Sequence, residues 1–185
     1  MPSPANATSR FSRARGLPRA AYDSWVASMR QEPGRPARIL AWCRAGEESE
    51  AQEYCIGSPA VLSWGSAQGW RHVGWHQIEH GGWNSELHQL SWAGLDGRRG
   101  AVLLHDPGRL PELFRERVEA SIAVERFVSL SGERGVVISA RRDLGAGGAT
   151  TWHTRLTRGL TWRTAGVQEA VDAALAETRA EYDMG

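Results

Sequence analysis

The sequence predicts an α+β protein, mostly antiparallel sheet, with about six strands and a helix extended by three strands and a C-terminal helix. Three observations carry this prediction. Short apolar runs rich in Val, Ile, Leu and Trp recur with Gly, Pro and Asp between them, as strands and turns do. Helical spacing of apolar residues is confined to three stretches. The strand-like runs also follow one another through connections shorter than the dozen or so residues that a parallel crossover needs.

Taken in order, residues 1–19 form an Arg-, Ser- and Pro-rich arm with little to bury, expected to be disordered. In residues 20–31, Tyr22, Trp25, Val26 and Met29 fall on one helical face, and Pro33-Gly34 stops the helix. Residues 38–45 (RILAWCRA) and 53–57 (EYCIG) read as strands around an acidic loop with Glu47, Glu48 and Glu50. Pairing about Ser49 sets Cys43 opposite Cys55, with Cβ atoms about 4.5–5.5 Å apart. A disulfide needs closer approach and an oxidising compartment, so two reduced core thiols are expected. Residues 61–65 (VLSWG) give a further strand, 70–92 a bent hairpin, and 100–105 (GAVLLH) a strand after the Asp96-Gly97 turn. Leu110, Leu113, Phe114, Val118 and Ile122 stripe a helix over 110–122, with Pro111 in its tolerant first turn. Strands follow over 124–130, 134–141 and 151–156, and Thr164 is placed to cap a last helix bearing Val167, Val171, Leu175 and Tyr182.

Composition narrows the function. At 185 residues, the arm is followed by one expected domain over 20–185, built of a part spanning 37–122 and an extension over 123–185. A net charge of +1 supplies no global field for nucleic acid or anionic lipid. All 22 basic residues are arginine, each a planar fork rather than a point charge. No apolar run approaches the ~18 residues of a membrane span. The first residues lack an apolar signal core, which argues for a cytoplasmic setting.

RILAW, YCIGSPAVL, HVGWHQIEHGGW, LPELFRERVEASI and GVVISARRD together resemble a family of uncharacterised actinobacterial proteins over roughly residues 37–180. That resemblance implies no activity and no catalytic residue. The first part also resembles bacterial pleckstrin-homology-like domains, a bent antiparallel sheet closed by one amphipathic helix, here 110–122. Lipid-binding relatives carry basic residues in the first hairpin loop. The acids in GEESEAQE would instead repel a phosphorylated headgroup, so no membrane partner is implied.

The stretch from Trp70 to Trp92 holds four of nine tryptophans and four of six histidines. His72, His76 and His80 recur every four residues, which on a helix could share a metal ion. Gly74, Gly81 and Gly82 argue for strand instead, where such positions lie roughly 13 Å apart at about 3.3 Å per residue. Metal–nitrogen bonds near 2.1 Å cannot bridge that gap. A turn near Asn84 would set His80 opposite His88, a two-ligand metal candidate without a third donor, so no cofactor is expected. Trp70, Trp75 and Trp83 with His76 form the candidate ligand or partner surface, the bland alternative being sheet core. The Gly145–Gly148 run is a turn rather than a phosphate loop, and no nucleophile stands beside His105 or His153. Arg115, Arg117, Arg126, Arg134, Arg141 and Arg142 interleave with acids and read as a solvated surface.

The expectation is therefore a non-catalytic binding or scaffold module that takes a protein or peptide partner by strand addition to an open sheet edge. The 123–185 extension is its expected dimer surface. The rivals are a small His- or metal-dependent hydrolase using His76, His80, His88 or His105, and a nucleic-acid factor using Arg10, Arg13, Arg15 and Arg19.

Overall fold

The computed structural model describes residues 16–29, 38–47, 52–145 and 147–184. Expectations for residues 1–15, Pro33-Gly34, Glu48, Ser49, Glu50 and Ala146 lie outside the described residues. The elements in order are α1 (Arg19–Ser28), β1 (Ala41–Ala45), β2 (Glu53–Gly57), β3 (Val61–Ser66), β4 (Gly69–Gly74), a 3-10 turn (Trp75–Gln77) and β5 (Ile78–Asn84). Then come β6 (Gln89–Gly94), β7 (Arg99–His105), α2 (Leu110–Ser121), β8 (Ile122–Ser131), β9 (Arg134–Arg142), β10 (Thr150–Leu156) and α3 (Val167–Asp183). The fold is α+β and antiparallel, with one sheet ordered β4-β3-β2-β1-β7-β6-β5 and another ordered β10-β9-β8.

Seven strands, not six, precede α2, because residues 70–92 do not make a simple hairpin. The Gln77 side chain turns back to accept the Gly74 amide at 2.8 Å, and Trp75 is fully buried. Those two interactions end β4 and start β5 as a separate strand. The described residues gather into two compact units. One lies within Met1–Val73, Gly82–Ser91 and Ala101–Phe114, the other within Gly74–Gly81, Trp92–Gly100 and Arg115–Gly185.

In the first unit β2 is covered on both faces. One face carries Tyr54 and Ile56, which pack with Ala21 and Trp25 of α1 and with Trp42 and Trp70. The opposite face carries Cys55 and Gly57, and a Cβ built on Gly57 would meet Leu113 of α2 at 2.6 Å. Strand alternation thus assigns α1 and α2 to opposite sides of one sheet. Each apolar side chain fully buried there, such as Ile56, contributes about 1.5–3 kcal/mol.

Cys43 and Cys55 are direct cross-strand partners, buried and free, as expected. The backbone explains why they stay thiols. The Gly46 amide donates to Leu103 of the β7 side at 3.0 Å, so alternation turns residues 43 and 45 toward β2. Cys43 and Cys55 therefore form a hydrogen-bonded pair, with Cα atoms about 5.5 Å apart. Their side chains stand wider than the ~3.8 Å between Cβ atoms that a disulfide prefers. Burial pushes the Cys43 thiol up to about 12, with Asp106 adding to the shift, and burial also raises Cys55 well above its ordinary value.

In the second unit α3 covers one face of the three-stranded sheet. Val167, Val171 and Ala174 pack on Val136 and Ile138, flanked by Val128, Trp152, Leu156 and Leu175. Tyr182 meets Trp152 edge-on at 5.6 Å, and Arg179 lies over the same indole at 5.5 Å. Thr164 is not the cap of this helix. Gly166, at φ +76°, occupies that position, where its missing Cβ permits the left-handed backbone. The Thr164 hydroxyl instead meets Thr161 Oγ1 at 3.1 Å, and its carbonyl accepts the Val167 amide.

Candidate functional site

The residues singled out in the sequence separate between the units. In the first, Trp70 lies on β4, and its Nε1 donates to the Ser24 hydroxyl at 3.0 Å, so the ring serves to dock α1. Trp83 stacks on His88, with planes 7° apart and centroids at 6.3 Å. His88 belongs to the turn at residues 85–88 rather than to β6, with φ +49°, and its carbonyl accepts the Leu104 amide at 2.9 Å on the β7 side. That is the position at which a partner for His80 was expected. In the second unit Trp75 is fully buried, His80 is exposed with Glu79 at 3.8 Å, and His76 faces Asp143 at 3.5 Å. Among the described residues, no three His, Cys, Asp or Glu side chains gather closely enough to hold a metal ion.

The second unit brings together groups that the sequence did not. On the sheet face away from α3, Glu125, Ser139 and His153 stand in one row across β8, β9 and β10. Arg141 and Thr151 are opposed in the next row, and Phe127, Val137 and Arg155 form the row on the other side. Arg141 is only 2% exposed, against the solvated position expected for it. Its Nη2 donates to the Glu79 carbonyl at 3.2 Å, while Nε and Nη1 have no acceptor. Burial lowers the Arg141 guanidinium from its ordinary value, opposed by the Glu125 and Glu79 carboxylates. Arg155 Nε reaches Glu79 Oε1 at 2.7 Å. Burial first, then the Arg141 and His76 charges, holds the His153 imidazole below its ordinary 6.5. His153 is therefore neutral near pH 7.

The same sheet has two unlike edges. β8 is interrupted by register shifts between Ile122 and Val124 and between Ser129 and Ser131. β10 pairs with β9 in unbroken register over all seven residues, from Thr150 opposite Arg142 to Leu156 opposite Val136. The Thr157 amide donates to the Gly135 carbonyl at 2.8 Å, so residue 157 turns its backbone toward β9. Alternation then sends residues 155, 153 and 151 inward and Thr150, Trp152, Thr154 and Leu156 outward. Among the described residues, nothing pairs with those outward amides and carbonyls. β10 contains neither Pro nor Lys. The signal for this edge lay in the sequence: three consecutive strands with short turns place the middle one, β9, between two edges. Which edge stays regular depends on the β8 bulges, and no residue pattern announces those.

No family model, no curated protein and no solved structure matches this chain.

Proposed function

We propose that this chain is a non-catalytic binding module that takes a protein or peptide partner by adding its strand to the outward edge of β10. The observation that carries the reading is the contrast between the two edges of the three-stranded sheet. Natural sheets guard their edges with bulges, prolines, lysines or shortness. β8 carries two register shifts, whereas β10 keeps seven residues in regular register with unpaired outward groups. An edge left in that state is a template for an added strand, with main-chain bonds supplying affinity. A seven-stranded antiparallel sheet followed directly by the α2 helix supports reading residues 37–122 as pleckstrin-homology-like. No helix among the described residues is long and apolar enough to cross a membrane. Two opposed cysteines left as buried thiols support a reducing, cytoplasmic setting.

The test is a displayed random-peptide library selected on the full chain and compared with Thr154→Pro. Proline there removes an outward amide but no bond to β9, so the fold should keep its circular dichroism spectrum and melting temperature. Peptides selected on the wild-type chain should bind the variant at least about tenfold more weakly, the value of one lost hydrogen bond of roughly 1.4 kcal/mol. Selected peptides that bind Thr154→Pro as tightly as wild type would refute the assignment.

A further inference from the structure

We infer that the strand received by β10 is β10 of a second copy of this chain, paired antiparallel about a two-fold axis through His153. The inference rests on the free-edge reading above and adds the identity of the partner. Parity permits it, and the charges and length of β10 select one register. Two copies can share an edge only if both present outward backbone groups at the hydrogen-bonded positions. In β10 those are Thr150, Trp152, Thr154 and Leu156, and the midpoint of the seven residues is His153, whose backbone turns inward. With the axis at His153, Trp152 meets Thr154 of the second copy, Leu156 meets Thr150, and all seven residues find partners. His153 then faces its own counterpart at a non-hydrogen-bonded position, and Thr151 faces Arg155.

Shifting the register by two residues toward the C-terminus sets His153 against Arg155 of the second copy, two basic groups in contact. A shift of the same size the other way leaves Arg155 and Leu156 without partners inside the strand. The central register avoids both faults. It makes one continuous six-stranded sheet, and its interface is isologous, as a two-fold dimer requires.

The axis also makes the dimer sensitive to protons. At a non-hydrogen-bonded pair the two His153 Cα atoms stand about 4.5 Å apart. Neutral rings can share that space, and two imidazolium rings repel. The groups facing His153 within its own unit are Ser139 and Arg141 on β9, Glu125 on β8, His76 with Asp143, Glu79 on β5 and Arg155 on β10 itself. Arg155 is already engaged by Glu79, and Asp143 Oδ1 accepts the Gly145 amide at 2.8 Å. Protonating both dyad rings places like charges about 5 Å apart, which at an effective dielectric near 20 weakens association by about two orders of magnitude.

The experiment is sedimentation equilibrium of the full chain in steps from about pH 7.5 down to about pH 4.5, because His153 titrates below the ordinary histidine value. The wild-type chain should be dimeric at the highest pH and at least tenfold more weakly associated at the lowest, with Thr154→Pro monomeric throughout. A second readout does not depend on that variant folding. His153→Cys should cross-link between copies under mild oxidation, since its Cα separation fits a disulfide. Thr151→Cys should not, because the two Thr151 positions lie roughly 13 Å apart. A monomer at about 100 µM, well above the Kd of a stable dimer, overturns the inference. So does a dimer that survives Thr154→Pro, ignores pH or cross-links equally through Thr151→Cys. A monomer that still selects peptides lost by Thr154→Pro overturns the self-pairing and leaves the free-edge reading standing. Loss of both results removes the two together.

Discussion

Gly57 offers a sharp test of the packing. Its backbone is not left-handed, so replacing it with alanine introduces no φ strain. What alanine adds is one methyl group, pointed at α2. That Cβ would lie 2.6 Å from Leu113 Cδ2 and 3.3 Å from Leu110 Cδ1, where ordinary contacts begin near 3.4 Å. Leu113 is 2% exposed and Leu110 fully buried, so neither has free space to swing into. Gly57→Ala should therefore cost about 1–3 kcal/mol, the range for overpacking a dense core. In a chain of this size each kcal/mol lowers the melting temperature by about 2–4 °C. Gly82→Ala is the matched control, because its Cβ would meet nothing within 4 Å. That change should stay within about 0.5 kcal/mol of the parent. The assay is thermal and urea unfolding followed by circular dichroism on both variants. A Gly57→Ala protein melting with or above the wild type would refute the seating of α2 over β2, and an equal loss at Gly82 would make the effect generic to glycine.

Two further outcomes follow from the thiols and the histidines. With Cys43 pushed up to about 12 and Cys55 raised well above its ordinary value by burial, a disulfide-exchange reagent at mildly alkaline pH should titrate almost no thiol in the native state and both on denaturation; rapid native labelling of either cysteine would contradict the burial. His72, by burial, and His153, by burial and its cationic neighbours, are held below 6.5, so the unfolded chain takes up their protons first as pH falls. Their contribution is complete above about pH 6.5 and declines as pH drops from there toward the folded values. The urea midpoint should fall on acidification, and less steeply in a His72→Gln/His153→Gln double variant; identical slopes would sink the assignment.

Much of the architecture was legible because each element carried its own local signal. The Leu110, Leu113, Phe114 and Val118 stripe and the strand-like runs over 134–141 and 151–156 needed no tertiary information. The Cys43–Cys55 register was readable for the same reason, since two short strands around one loop leave little freedom. The misses share a different cause. Trp75 becomes a turn because Gln77 reaches back to Gly74, a side-chain contact that no periodicity encodes. Thr164 has the right chemistry for a cap, yet Gly166 takes the position because the chain enters α3 through a left-handed residue. Arg141 looked solvated among alternating charges, but the middle strand of three is enclosed on both faces, and charge pattern says nothing of enclosure. The sequence of β10 marks it as a strand but not as the edge that stays regular, which the β8 register shifts decide.

The pairing of β1 with both β2 and β7 has a consequence for how the chain reaches this state. Cys43 meets Cys55 across one short connection, whereas Ala45 meets Leu104 only after β2 through β6 have been threaded between them. His105 Nε2 lies 2.7 Å from the Gly46 carbonyl, 59 positions away; since a carbonyl only accepts, that nitrogen carries the proton and fastens the seam. Loop-closure entropy makes such a distant pairing slow and late relative to hairpins. His105→Ala should therefore speed unfolding while leaving the refolding rate nearly unchanged, the kinetic mark of a contact made after the barrier is crossed.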